Sequence, residues 1–159
     1  LDLPPRECVA NANELLARST DPEKFVTFFY GVLDPRKHVL SYSNAGHDPP
    51  LLVSPQTGVS RLETGGLVLG FLESSAYGEA SVSIGPGDLL VAYSDGVTEA
   101  TDGRDEPFGG ERLLGFLENS RDRAVDEVIE GLVTAIREHA GDAPQSDDFT
   151  IVAVKRERT

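Results

Sequence analysis

The sequence predicts an α+β protein with a mainly antiparallel sheet. Three observations carry this. Helical periodicity is confined to the two ends of the chain, period-two alternation fills the middle, and the strands come in pairs joined by short turns. Helices gathered at the ends and strands gathered in hairpins argue against a doubly wound nucleotide fold, and no glycine-rich phosphate loop is present.

Residues 4–18, PPRECVANANELLAR, form the first predicted helix. Its two prolines sit where a first turn tolerates them, and Cys8, Val9, Ala12, Leu15 and Leu16 line one side at helical spacing. The period then changes. Lys24 to Leu33 is rich in β-branched and aromatic residues and reads as a strand; Asp34-Pro35-Arg36-Lys37 is a turn; His38 to Asn44 alternates as the returning strand. Leu51 to Ser54 and Val59 to Glu63 flank the turn Pro55-Gln56-Thr57-Gly58, which gives a second hairpin. Tyr77 to Ile84 alternates again, and Gly85-Pro86-Gly87-Asp88 turns the chain into an apolar strand, Leu89 to Ser94.

Helices return afterwards. Gly110 to Glu118 is a short one. Asp122 to Ala140 is longer, with Val125, Val128, Ile129, Leu132, Val133 and Ile136 on one stripe and Gly141 placed to end it. An acidic loop from Asp142 to Asp148 leads into a last strand, Phe149 to Lys155. There is no internal repeat, low-complexity tract or linker, so residues 1–159 read as a single domain around one core.

Composition narrows the function. The 14 Lys and Arg face 27 Asp and Glu, a formal net charge of −13, which disfavours nucleic acid and anionic membrane surfaces. No apolar run approaches the roughly 18 residues of a membrane span, and LDLPPRECVA has none of the features of a signal peptide. A single cysteine, Cys8, forms no internal disulfide and suits a reducing, cytoplasmic setting. No arginine follows it at the spacing a cysteine-based phosphatase loop needs, so Cys8 reads as a packed helix residue.

Three stretches can carry chemistry. In YSDGVTEA, residues 93–100, Asp95 ends a buried strand and Gly96 allows close backbone approach to a ligand; a carboxylate there is a hard ligand for Mg²⁺ or Mn²⁺, although Asp-Gly is also a common turn pair. In QSDDFT, residues 145–150, Asp147 and Asp148 stand directly before the last strand. If that strand pairs antiparallel with Leu89 to Ser94, Asp95 and Asp147 lie at one rim, where two carboxylates repel unless a cation or proton neutralises them. An acidic helix-to-strand loop is the alternative. In SNAGHDPP, residues 43–50, Asn44 and Gly46 are turn formers; His47 is a structural turn residue or a candidate acid.

The ordered set FVTFFYGVLD, YSNAGHDPPLL, GPGDLLVAYSDGVTEA, FGGERL and SDDFTIVAVK resembles the SpoIIE-type (stage II sporulation protein E) bacterial serine/threonine phosphatases of the metal-dependent, type 2C-like PPM superfamily. The likeness covers about residues 4–156. It implies a four-layer αββα sandwich with two antiparallel sheets and two Mn²⁺ or Mg²⁺ ions at one end. By this resemblance Asp95, with Gly96, and Asp147 match metal-ligand positions, Asp148 and Glu99 match supporting positions around them, and the reaction is hydrolysis by a metal-activated water without a covalent enzyme intermediate. The substrates it implies are phosphorylated anti-anti-sigma (STAS-type) proteins of bacterial partner-switching systems.

The resemblance also implies a motif upstream of the first helix, of the form Gly-Asp-Val-Ser-Gly-His-Gly, whose acid bridges both metals. This chain starts after that point, and Asp2 precedes a helix rather than ending a strand. The expectation is therefore an N-terminally truncated phosphatase domain. The alternative is a pseudophosphatase or regulatory binding module of the same fold. Absent strands would leave a sheet edge open, which makes a homodimer a candidate assembly.

Overall fold

The computed structural model describes residues 3–21, 23–144 and 147–158. Among the described residues, eleven elements of regular structure follow in chain order: α1 (Pro5–Ser19), β1 (Phe28–Asp34), β2 (Val39–Ala45), β3 (Leu51–Ser54), β4 (Gly58–Arg61), β5 (Gly65–Gly66), β6 (Ala80–Ser83), β7 (Leu89–Tyr93), α2 (Gly109–Ser120), α3 (Val125–Ala140) and β8 (Ile151–Lys155), with a 3₁₀ turn at Asp95–Val97. The protein is α+β, and the described residues form two mainly antiparallel sheets and three α-helices. The chain divides into two compact units, Leu1–Pro49 with Leu62–Ile84, and Pro50–Arg61 with Gly85–Thr159.

In the first unit β1 and β2 form the predicted hairpin, with Phe28 opposite Ala45 and Asp34 opposite Val39. The Asp34 carboxylate closes its turn by accepting from the N–H groups of Arg36 and Lys37 at 2.9 and 3.0 Å. The strand starts at Phe28, not at Lys24 as the sequence suggests. Phe25 is exposed and Val26 pairs with Leu69 instead of continuing the β2 ladder. β6 pairs antiparallel with β2, and the two-residue β5 pairs parallel with it.

Helix α1 covers a small core of Val9, Ala45, Leu69 and Tyr77. Its stripe differs from the predicted one in a single place. Leu15 is exposed and Asn13 is buried. The Asn13 amide donates to the carbonyls of Leu72 and Glu73 and accepts from Gly70 N–H. The buried Asn13 amide needs partners of its own, and it pairs three backbone groups of the Gly70–Glu73 loop where leucine would pair none.

In the second unit the sheet order is β4-β3-β7-β8, every pair antiparallel. β7 alternates as a half-buried strand should: Leu89, Val91 and Tyr93 join Leu113, Leu117, Val128, Leu132 and Ile136 in one core under α2 and α3. Each fully buried leucine here contributes about 2 kcal/mol of burial energy. Helix α3 begins at Val125, three residues later than predicted, because the Glu127 carboxylate accepts from Ala124 N–H and caps the helix there. Asp122 instead pairs with Arg158 at 3.0 Å. Gly141, at φ 57°, ends α3 as expected.

Candidate functional site

The antiparallel register of β7 and β8 builds the site. Tyr93 lies opposite Ile151, so the end of β7 and the start of β8 share one rim. Ser94 extends the ladder one residue further. Its N–H donates to the Thr150 carbonyl at 3.1 Å, and its hydroxyl accepts from Thr150 N–H at 2.9 Å. The chain then leaves β7 as a 3₁₀ turn, in which the Asp95 carbonyl accepts from the N–H groups of Thr98 and Glu99, both at 2.9 Å. This turn holds the backbone of Asp95 while leaving its side chain exposed.

Gly96 is buried, and the reason differs from the one the sequence suggests. A Cβ at this position would stand 2.5 Å from the Asp148 carbonyl oxygen. The close approach that glycine permits is therefore made by the chain's own backbone. It draws the Asp95 turn and the Asp147-Asp148 pair against each other. Asp148 N–H donates to the Asp147 carboxylate at 2.7 Å, and Gly96 N–H donates to the Asp95 carboxylate at 2.9 Å, so each carboxylate is held by the amide that follows it. Asp95, Asp147, Asp148 and Glu99 are all exposed. Gln145 and Ser146 of the QSDDFT stretch lie outside the described residues.

A pocket of about 190 Å³ opens beside this rim, with Gly96 and Asp147 in its wall and Ile136, Ala140 and Phe149 supplying apolar surface. Arg137 is the one positively charged side chain among its described lining residues. A pocket lined by apolar side chains with one guanidinium and one carboxylate suits an anionic group carried on a larger molecule.

His47 belongs to the other compact unit. Its turn is built as the sequence predicts. Asn44 accepts from His47 N–H at 2.8 Å and donates to the His47 and Leu62 carbonyls, and Gly46 takes φ 67°, where a Cβ would meet Val68. The His47 ring reaches Thr27 Oγ1 through Nδ1 at 3.3 Å. Two contributors escaped the sequence reading. Ser94 clamps the start of β8, and the only hint was its place before Asp95. Arg137 lies on α3 among residues that read as an ordinary polar face.

A divalent cation is the group this arrangement invites. The available donors are carboxylate and carbonyl oxygens on an exposed rim, which fit a hard ion such as Mg²⁺ or Mn²⁺ and suit a soft thiolate-seeking ion poorly. Among the described residues no three His, Cys, Asp or Glu side chains come together around one point, so Asp95 and Asp147 fit part of a coordination shell.

The match to known proteins decides the family. The SpoIIE model (stage II sporulation protein E) matches residues 1–157. The chain belongs to the SpoIIE family. Among curated proteins it is 35% identical over 136 residues to protein IcfG of Synechocystis, covering 86% of this chain and 21% of that protein. It is 30% identical over 155 residues to phosphoserine phosphatase RsbU of Bacillus subtilis, covering 96% of this chain and 45% of that protein. The chain thus spans less than half the length of either relative. Among solved structures, the SiaA-PP2C domain of Pseudomonas aeruginosa superposes with a TM-score of 0.82 at 21% identity, over 97% of this chain and 61% of that one. The SpoIIE-family chain described here therefore has the PP2C-type phosphatase fold, and its relatives include a phosphoserine phosphatase. Among the described residues no helix is long and apolar enough to cross a membrane.

Proposed function

We propose that residues 1–159 form the phosphatase domain of a cytoplasmic bacterial regulator, hydrolysing phosphoserine or phosphothreonine on a partner protein of the anti-anti-sigma type. One observation carries this reading. Asp95 and the Asp147-Asp148 pair, with Asp95 and Asp147 52 residues apart in the chain, meet at the β7–β8 rim because Gly96 seats against the Asp148 carbonyl. Membership of the SpoIIE family supports it.

Asp95, the backbone at Gly96 and Asp147 would hold Mn²⁺ or Mg²⁺, two ions in the complete site. Bound there, such ions supply a water of lowered pKa and neutralise charge on the phosphoryl oxygens. The chain's own residues do the rest. Asp148 N–H fixes the orientation of the Asp147 carboxylate, and Gly96 N–H fixes that of Asp95. Glu99 adds negative potential one turn beyond Asp95. Arg137, in the wall of the adjoining pocket, offers a guanidinium to the phosphoryl group or its neighbours. A homodimer is the second assembly this reading includes.

The test is Mn²⁺-dependent hydrolysis of an aryl phosphate and of a phosphoserine peptide, by this chain and by a form extended upstream through the family's first acidic motif. Activity in the extended form, lost on Asp95→Ala, is the expected result. If both forms fold and neither hydrolyses either substrate, the catalytic reading fails and a binding module takes its place.

A further inference from the structure

The pocket beside the acidic rim has a lining that hydrolysis of a phosphoryl group does not itself require. One wall is the last turn of α3, with Ile136, Arg137 and Ala140. Asp147 and Phe149, on the chain entering β8, form the second, and Ala100 and Thr101, just beyond the Asp95 turn, form the third. All these residues belong to the second compact unit. The sequence makes the space. Ala100, Ala140, Gly141 and Ala143 stand where larger side chains would close the gap between the helix end and the rim.

The walls hold one another in place. Ile136 is 2% exposed and anchors the end of α3 in the core. Past it, the Arg137 carbonyl accepts from Gly141 N–H at 2.9 Å and the Ala140 carbonyl from Ala143 N–H at 3.0 Å, which fixes the turn out of the helix. On the facing side the Ala100 carbonyl accepts from Phe108 N–H at 2.7 Å, and Thr101 pairs with Pro107. His139 ties the two sides together. Its Nε2 donates to the Glu106 carbonyl at 2.9 Å, and its ring meets that of Phe108 edge-on, with centroids 5.6 Å apart. A pocket set by backbone hydrogen bonds and core packing is ready formed before anything enters it.

Size and chemistry select the occupant. The pocket holds about 190 Å³. Complete small-molecule ligands take clefts of roughly 300–1,000 Å³, so this one admits a single side chain of something larger. Arg137 and Asp147, its two charged lining residues, are exposed, whereas Ile136, Ala140, Ala143 and Phe149 supply carbon surface. An aliphatic side chain fits that surface, and a polar one would lose water there for few partners. Arg137 makes no ion pair among the described residues, so its guanidinium is left for negative charge on the segment that carries the side chain. A phosphorylated segment brings such charge. Gly96 and Asp147 belong to both the rim and the pocket, so the phosphoryl group and the side chain would be neighbours. We infer that the pocket is a specificity subsite, taking one aliphatic side chain of leucine or isoleucine size from the substrate protein, close in sequence to its phosphoserine or phosphothreonine. The occupant is named a substrate on the strength of the phosphatase reading. Any phosphoester presents the same group to the rim; the side chain in the pocket decides which phosphoprotein is seated, through KM rather than kcat.

The probes are phosphoserine peptides of alanine background, with a single leucine moved through the three positions on either side of the phosphoserine, and an aryl phosphate that carries no such side chain. Binding is read by fluorescence anisotropy and hydrolysis with Mn²⁺, in this chain and in the form extended upstream. At one position leucine should lower Kd and KM about tenfold or more relative to alanine, with little change in kcat. Ala140→Leu and Ala143→Leu fill the pocket from two sides, and in each the preference for leucine over alanine should disappear. The preference is a ratio within one variant, so a general loss of folded protein does not imitate the result. Equal binding of leucine and alanine peptides at every position overturns the subsite, and so does a preference that survives both filling variants. A preference shown by this chain and lost in the extended form overturns it as well, because an upstream segment then occupies the pocket. Failure of the phosphatase reading has a different signature. Peptide binding would keep its leucine preference and lose it in the filling variants, while neither the peptides nor the aryl phosphate is hydrolysed; the subsite then stands as part of a binding module.

Discussion

The two ends of β7 carry the same residue types and use them in opposite ways. At its start, Gly85-Pro86-Gly87-Asp88 folds back on itself. Asp88 is buried, its carboxylate accepts from Gly85 N–H at 2.7 Å, and Gly87 takes φ 86° to make the turn. At its end, Ser94-Asp95-Gly96 leaves the carboxylate exposed and spends the glycine on a contact with the Asp148 backbone. An aspartate turned inward completes a turn. An aspartate left outward, with a second acidic pair drawn alongside it, has spare lone pairs for a cation. The difference lies in what the neighbouring glycine touches, not in the residue types themselves.

The largest expected effect separates the two ends directly. Asp95→Ala should lower Mn²⁺-dependent phosphatase activity of the upstream-extended form by about 100-fold or more while changing stability by no more than about 0.5 kcal/mol, as for other exposed positions. Asp88→Ala should do the reverse. It strands Gly85 N–H in a partly buried turn and should cost about 1–2 kcal/mol by urea unfolding, with specific activity of the folded fraction unchanged. If Asp95→Ala unfolds the protein and Asp88→Ala abolishes activity, the assignment of the two ends is inverted.

Gly96→Ala tests the link between the two acidic turns. The added methyl must displace the Asp148 carbonyl, for an overpacking cost of about 1–3 kcal/mol. Because Asp148 holds the Asp147 carboxylate, metal dependence should move as well, with a higher Mn²⁺ concentration needed for half-maximal activity. A loss of stability without that change would make Gly96 a packing residue alone.

The smallest effect concerns a third aspartate. Asp102 accepts from the N–H groups of Arg104 and Glu106, and these backbone bonds, helped by His139, hold its carboxyl below the usual carboxylate range. A depressed folded pKa means that the stabilisation is present above the unfolded value, about 3.9, and is lost as pH falls through the folded one. NMR titration should find Asp102 still ionised at a pH where an ordinary exposed aspartate is half protonated. Asp102→Asn should remove that step and leave activity intact. The Asp34 carboxyl, held by the N–H groups of Lys37 and Arg36, lies below the usual carboxylate range in the same way.

Much of this molecule is legible from local chemistry. The β1–β2 hairpin announces itself through alternation and an Asp-Pro turn, α3 through its apolar stripe and closing glycine, and both acidic motifs through their place at strand ends. These features depend on residues within a few positions of one another, where side-chain period and backbone preference act without reference to the rest of the chain. The misreadings are equally instructive. Leu15 belongs to the apolar pattern of α1 yet is exposed, and Asn13 is buried, because the Asn13 amide finds its hydrogen-bond partners in the loop at Gly70 to Glu73, which only the tertiary fold brings near. Phe25 and Val26 have strand-forming side chains but no adjacent β2 residue left to pair with.

The rim itself falls between the two cases. That Asp95 and Asp147 end and precede strands is written in the residues around them. That they share a rim rests on the β7–β8 register, and that they are drawn together rests on one glycine lying against one carbonyl. Strand register is a long-range quantity, set by which apolar faces must be covered at once. A local run of residues specifies a strand and its acidic end; the packed core under α2 and α3 decides which other acidic end it meets.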